Sequence, residues 1–175
     1  MPVLDYTLPI DKPMAPGEIA TLDDALIWTY LNGENDILDF GLGAGRGTGA
    51  RDVIFPVDAN SVFEGVVFAT DTYERRDGYS RRTTSGRLGY PKKENVSLVR
   101  RGVIAVYIDS AVTRGAPAYW RVIETVGTTG VKGCFRVDAD TNKAIAIPNA
   151  RFIKAAPAPA AGQMGIGILD LKMAA

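Results

Sequence analysis

Apolar residues recur along the chain in short runs that glycine, proline or charge interrupts every few positions. Runs of this length between turn residues predict strands rather than helices. The clearest are 62–69, 96–100, 103–108, 119–123, 134–137, 144–147 and 165–173, and their spacing predicts an all-β sandwich or barrel. In 103–108 both alternating faces are apolar, with Val103, Ala105 and Tyr107 against Ile104, Val106 and Ile108. That pattern predicts a strand covered on both sides at the centre of the core. The last run alternates on one phase through Met164, Ile166 and Ile168, then on the other through Leu169, Leu171 and Met173. A change of phase predicts a bulge there.

The N-terminal part reads differently. Residues 1–20 hold Pro2, Pro9, Pro13 and Pro16 between isolated apolar residues, including Tyr6, Leu8, Ile10 and Met14. Prolines at this density suit extended backbone that cannot donate regularly to a sheet, so the segment reads as an arm. The next stretch has two competing readings. Thr21 to Asp24 resembles a capping box before a short helix, whereas Ile27, Trp28, Thr29 and Tyr30 are strand formers followed by the hairpin dipeptide Asn32-Gly33 and the apolar run 37–42. The hairpin is the favoured reading. The Ala/Pro stretch 155–161 reads as an extended, exposed connector. The organisation expected is therefore an arm, 1–20, and a single β-rich body, 21–175.

Composition narrows the function. Hydrophobic residues at 46% and charged residues at 23% fit a folded globular chain. Lysine plus arginine and aspartate plus glutamate each number 20, so no net field draws nucleic acid or anionic membrane over long range. No apolar run approaches the length of a membrane helix, and the acidic, proline-bearing start does not read as a signal peptide. With Cys134 as the one cysteine there is no disulfide framework, and synthesis in a reducing cytoplasm is the simpler reading. Histidine is absent, which removes the commonest general base and metal ligand and tilts the reading away from catalysis.

Charge is nonetheless uneven. The first forty residues are acidic, and residues 75–101 are basic, with Arg75, Arg76, Arg81, Arg82 and Arg87 inside a segment, 73–90, that lacks apolar periodicity and reads as one long basic loop. Arginines interleaved with Tyr73, Tyr79 and Tyr90 also allow a nucleic-acid-binding β-barrel as the alternative.

No motif builds a catalytic, cofactor or metal site. Gly45-x-Gly47-x-x-Ala50 loosely matches a dinucleotide fingerprint, but Val53, Ile54, Phe55 and Pro56 follow where a helix is required, so a flexible glycine turn is the better reading. Asp138-x-Asp140-x-Asn142 opens like a calcium loop, yet Lys143 and Asn149 stand where glycine and glutamate belong. A turn joining 134–137 to 144–147 as a hairpin explains it better. Adjacent Asp23 and Asp24 would project to opposite faces of a strand, and Cys134 reads as a small buried hydrophobe.

Three ordered stretches carry a resemblance: ANSVFEGVVFAT from Ala59, GYPKKENVSLVRRGVIAVYIDSAVTRGAPAYWRV from Gly89, and the run from Gly133 to Met173. With Ala15 to Ala20 and Phe40 to Gly43 ahead of them, the chain resembles the capsid cement, or decoration, proteins of tailed bacteriophages over nearly its whole length. The resemblance implies a compact β-barrel or jelly-roll-like sandwich and a non-catalytic virion protein. It also implies a small symmetric homo-oligomer, dimer or trimer, on the outer surface of an icosahedral shell, with the major capsid protein as partner and no cofactor. Another head or tail structural component shares such motifs. The segment 73–90 is longer than the family leads one to expect. Contact with the capsid or a neighbouring copy is expected from Tyr6, Leu8, Ile10 and Met14 of the arm and from the five arginines of the basic loop.

Overall fold

The computed structural model describes residues 14–70, 88–124 and 130–173. Every element named among them is a strand. They are β1 (Ile19–Asn32), β2 (Leu38–Asp39), β3 (Gly43–Arg46), β4 (Asp52–Ile54), β5 (Phe63–Val67), β6 (Gly89–Tyr90), β7 (Asn95–Ile108), β8 (Pro117–Arg121), β9 (Phe135–Arg136), β10 (Ala144–Phe152) and β11 (Gly165–Lys172). The nine-stranded sheet runs β1-β4-β3-β5-β7-β11-β10-β8-β9, and extra β1–β7 and β7–β9 pairings join it back on itself; β2 and β6 form a separate pair. Two circuits of hydrogen-bonded strands therefore share β7, and the fold is a β-barrel with a sheet sandwich.

The sequence places β7 correctly at the centre, and its two ends serve two cores. Val96 and Leu98 pack in a cluster with Leu38, Phe40, Val53, Val67 and Tyr90. Val99, Ile104, Val106 and Ile108 pack in the larger cluster with Trp120, Phe135, Phe152, Leu169 and Leu171. Full burial of each large apolar side chain stabilises the fold by about 1.5–3 kcal/mol. The runs expected at 96–100 and 103–108 are one strand that continues through Gly102 (φ 128).

Three local expectations are corrected. The hairpin at Asn32-Gly33 does not form. β1 pairs instead with β7 antiparallel, from Ile19↔Ile104 to Leu31↔Asn95, and with β4 in parallel. Neither Asn32 nor Gly33 has the positive φ that a type I′ turn needs. Asn32 is fully buried, and its amide donates to Tyr90 O at 2.8 Å and Asp36 O at 3.0 Å, a tertiary role that overrides the local turn signal. The capping-box reading of 21–24 also yields to β1, whose register shifts flank Asp24 at φ 60.

The turn at Asp138–Asn142 exists, with Asp140, Thr141 and Asn142 all at positive φ, but it does not join a hairpin. β9 and β10 both pair with β8, which lies between them. The last strand carries no bulge, since β11 pairs with β7 without a shift from Gly165↔Ile108 to Lys172↔Arg101. Gly167, Ile168 and Leu169 are buried in succession, so the apparent phase change reflects cover on both faces.

The arm boundary falls partly in view. Residues 1–13 lie outside the described residues, while Ile19 and Ala20 already belong to β1. Gly17 N donates to Ala105 O at 2.8 Å and Ala105 N to Glu18 O at 2.9 Å, which ties the chain down just ahead of that strand.

Candidate interaction surface

Of the residues expected to make contacts, Met14 is described and half-buried; Tyr6, Leu8, Ile10, Arg75, Arg76, Arg81, Arg82 and Arg87 lie outside the described residues. Farther along the basic stretch, Arg101 pairs with Asp24 at 3.0 Å and Arg100 approaches Glu64 at 4.0 Å. The acidic N-terminal half and the basic stretch thus meet within one chain. Arg100 and Arg101 are engaged in this way, while the loop arginines on which the nucleic-acid alternative rests lie outside the described residues.

The glycine motif ends in the expected turn, with residues 47–51 joining β3 to β4 and Gly47 N donating to Asp52 O at 2.8 Å, but it begins as a packing surface. Gly43 and Gly45 lie in β3, and a Cβ on Gly43 would come within 2.5 Å of the Trp120 indole nitrogen; one on Gly45 would fall 2.8 Å from its ring. Only glycine lets the indole lie this close to the strand. Trp120 is fully buried and makes an edge contact with Phe63 at 5.2 Å.

The residues of the calcium-like loop are engaged by arginines. Asp140 accepts from Arg121 Nη2 at 2.7 Å and lies 2.9 Å from Arg136 Nη1, and Asp138 lies 2.9 Å from Arg136 Nη2. Arg121 Nε also donates to Asp109, so one network joins the ends of β7, β8 and β9 to the turn. Asp109 is wholly buried and Arg121 nearly so. Burial raises the Asp109 carboxyl above its ordinary value against the pull of Arg121. Burial lowers Arg121, but its hydrogen bonds with Asp109 and Asp140 outweigh that and keep it firmly charged. The Arg121 hydrogen bond holds Asp140 below the usual aspartate range. The sequence signal for this network was a charged residue, Arg121, inside the apolar run 119–123. Cys134 is buried, with its thiol 3.0 Å from Met164 Sδ, as expected of a small hydrophobe.

A second ionic cluster opens to the surface. Glu64 of β5 is buried and accepts from Arg46 Nε at 2.6 Å and from Tyr30 Oη at 3.1 Å. Burial, followed by the charge of Glu64, raises the Tyr30 hydroxyl above its ordinary value. The Arg100 guanidinium lies 4.3 Å from the Trp28 ring centroid, and Trp28 stacks beside Tyr30 at 6.4 Å. Trp28 is 40% exposed and Val62 is 52% exposed. Beside them runs an apolar groove of about 420 Å³, with Phe63 and Trp120 among its walls and Val62, Ala146, Pro148 and Met173 among its other lining residues. A cation stacked on an aromatic, exposed apolar residues and a groove form a surface suited to protein contact and not to chemistry. No group of residues fit to hold a metal occurs among those described.

The family model described as structural cement protein (E217 gp24/Pam3 gp6) matches residues 6–171. The chain belongs to this phage structural cement protein family. It is accordingly a structural protein and not an enzyme. A solved structure titled "The capsid of Myoviridae Phage XM1" has a chain of similar fold, at TM-score 0.63 and 16% identity, covering 91% of this chain and 90% of that one. No curated protein matches.

Proposed function

We propose that this cement-family protein binds the outer surface of an assembled phage capsid, through the major capsid protein, and stabilises the shell as a symmetric homo-oligomer. The family match over residues 6–171 carries the reading, and the capsid title of the similar structure supports it. A ligand that binds only the assembled shell opposes disassembly by mass action. A footprint of roughly 800 Å² per partner suffices for a stable contact, and an oligomer touching several subunits gains avidity. The exposed Trp28 and Val62, the arm residues Tyr6, Leu8, Ile10 and Met14, and the loop arginines are the contacts proposed.

The test is sedimentation of purified protein with capsids that lack it, followed by heating of the washed particles. Full-length protein is expected to co-sediment and to raise the temperature of shell disruption. A chain starting at residue 14 is expected to keep its circular dichroism and lose occupancy. Equal occupancy would remove the arm from the reading, and no co-sedimentation of the full chain would remove the capsid.

A further inference from the structure

Two observations meet at the groove. First, β10 pairs with β8 through Ala146, but with β11 only at Arg151 and Phe152. Between these pairings the strand shifts register at Pro148 and Asn149, the latter at φ 60. From Ala144 to Asn149 the edge turned away from β8 therefore carries no ladder among the described residues, and Ile145 to Asn149 line the groove along it. Second, the groove is apolar. An unpaired strand edge and apolar pockets together fit an extended peptide segment, which brings backbone hydrogen-bonding groups and alternating side chains.

Charge chooses among the segments this chain can offer. Arg100 is the charged residue among those lining the groove, and Arg46 joins it at Glu64 of the adjoining β5, so the charge there is net positive, which disfavours the arginine-rich stretch 75–87. Residues 3–11 instead carry Asp5 and Asp11, and Leu4, Tyr6, Leu8 and Ile10 fall on one phase of a two-residue period, so one face of a strand there would be wholly apolar. The thirteen residues before Met14 span up to about 45 Å when extended. That is close to the diameter, about 40 Å, of a body this size, so the segment can leave one copy and reach the groove of the next.

We propose that the groove beside β10 receives residues 3–11 of a neighbouring copy as an added strand, with Leu4, Tyr6, Leu8 and Ile10 facing Phe63, Trp120 and Met173. The inference is independent of the capsid reading, because its test uses this protein alone. Two full-length variants, Leu8→Cys and Ala146→Cys, are mixed under mild oxidation, with the native Cys134 buried in both. Ile166→Cys, exposed on β11, replaces Ala146→Cys in a control mixture.

The expected result is a mixed disulfide dimer between the Leu8 and Ala146 variants, at least several-fold above the control. A synthetic peptide of residues 3–11 added in excess should suppress it. Equal yields in the two mixtures would overturn the proposal. A monomeric internal disulfide in a Leu8→Cys/Ala146→Cys double variant, without dimer, would also overturn it, by placing the segment in its own groove. Val62→Glu, at an exposed groove position, should lower the yield of mixed dimer while the circular dichroism stays unchanged, and an unchanged yield would argue against the groove.

Discussion

The two ionic clusters use the same residue types and differ in what surrounds them. Around Asp109 and Arg121 the central pair is closed off by strand ends and a tight turn, and two arginines face three carboxylates, of which Asp138 reaches the surface. Around Glu64 the carboxylate is buried, but Arg46 is 65% exposed, and Arg100, 15% exposed, lies under an exposed tryptophan beside an open groove. Closed charges must satisfy one another, since an unpaired buried charge costs several kcal/mol. Open ones are left able to meet a partner, and screening by water keeps their contribution to folding small. The first cluster therefore belongs to the fold and the second to the binding surface.

The largest effect expected is at Arg121. Arg121→Met leaves buried Asp109 with Arg136 alone, 3.7 Å away, and should cost about 3–5 kcal/mol in urea unfolding. Adding Asp109→Leu should recover much of that loss, and failure to recover would mean that the network does not act as a closed unit. At the open cluster Arg46→Ala should cost no more than about 1 kcal/mol, because its exposed guanidinium is screened. A loss as large as that of Arg121→Met would erase the distinction between the clusters. The smallest effect is in acid. Asp140 has a folded value below the ordinary 3.8, so its contribution is full above 3.8 and fades as pH falls through the folded value. Asp109 is shifted the other way, so its share works against stability as pH rises. Asp140→Asn should therefore flatten the acid limb of unfolding below pH 3.8, while the wild-type slope persisting in the variant would assign that limb to other groups.

The same contrast explains what was legible in the sequence. β7, β10 and β11 could be read because alternation and two-faced apolar runs are local consequences of burial. Partner choice could not. Asn32-Gly33 has the local signature of a hairpin, but Asn32 is drawn inward to Tyr90 O, and β1 finds its partner some seventy residues later in β7. Gly45 read as part of the turn that follows it because the residue that needs its bare backbone, Trp120, is distant in sequence. The Asp109–Arg121–Arg136–Asp140 network was hidden for the same reason, although Asp138 and Asn142 did mark its turn. The groove left no sequence signal, since it arises where β10 and β11 part, a matter of register alone.

The central claim is attachment to a shell, and cryo-electron microscopy of phage particles carrying this protein tests it most directly. The account predicts β-rich density of this shape on the outer face of the capsid, with the Trp28 and Val62 side in contact with capsid subunits or neighbouring copies. Density confined to the tail, or a bare outer surface on particles that contain the protein, would contradict it.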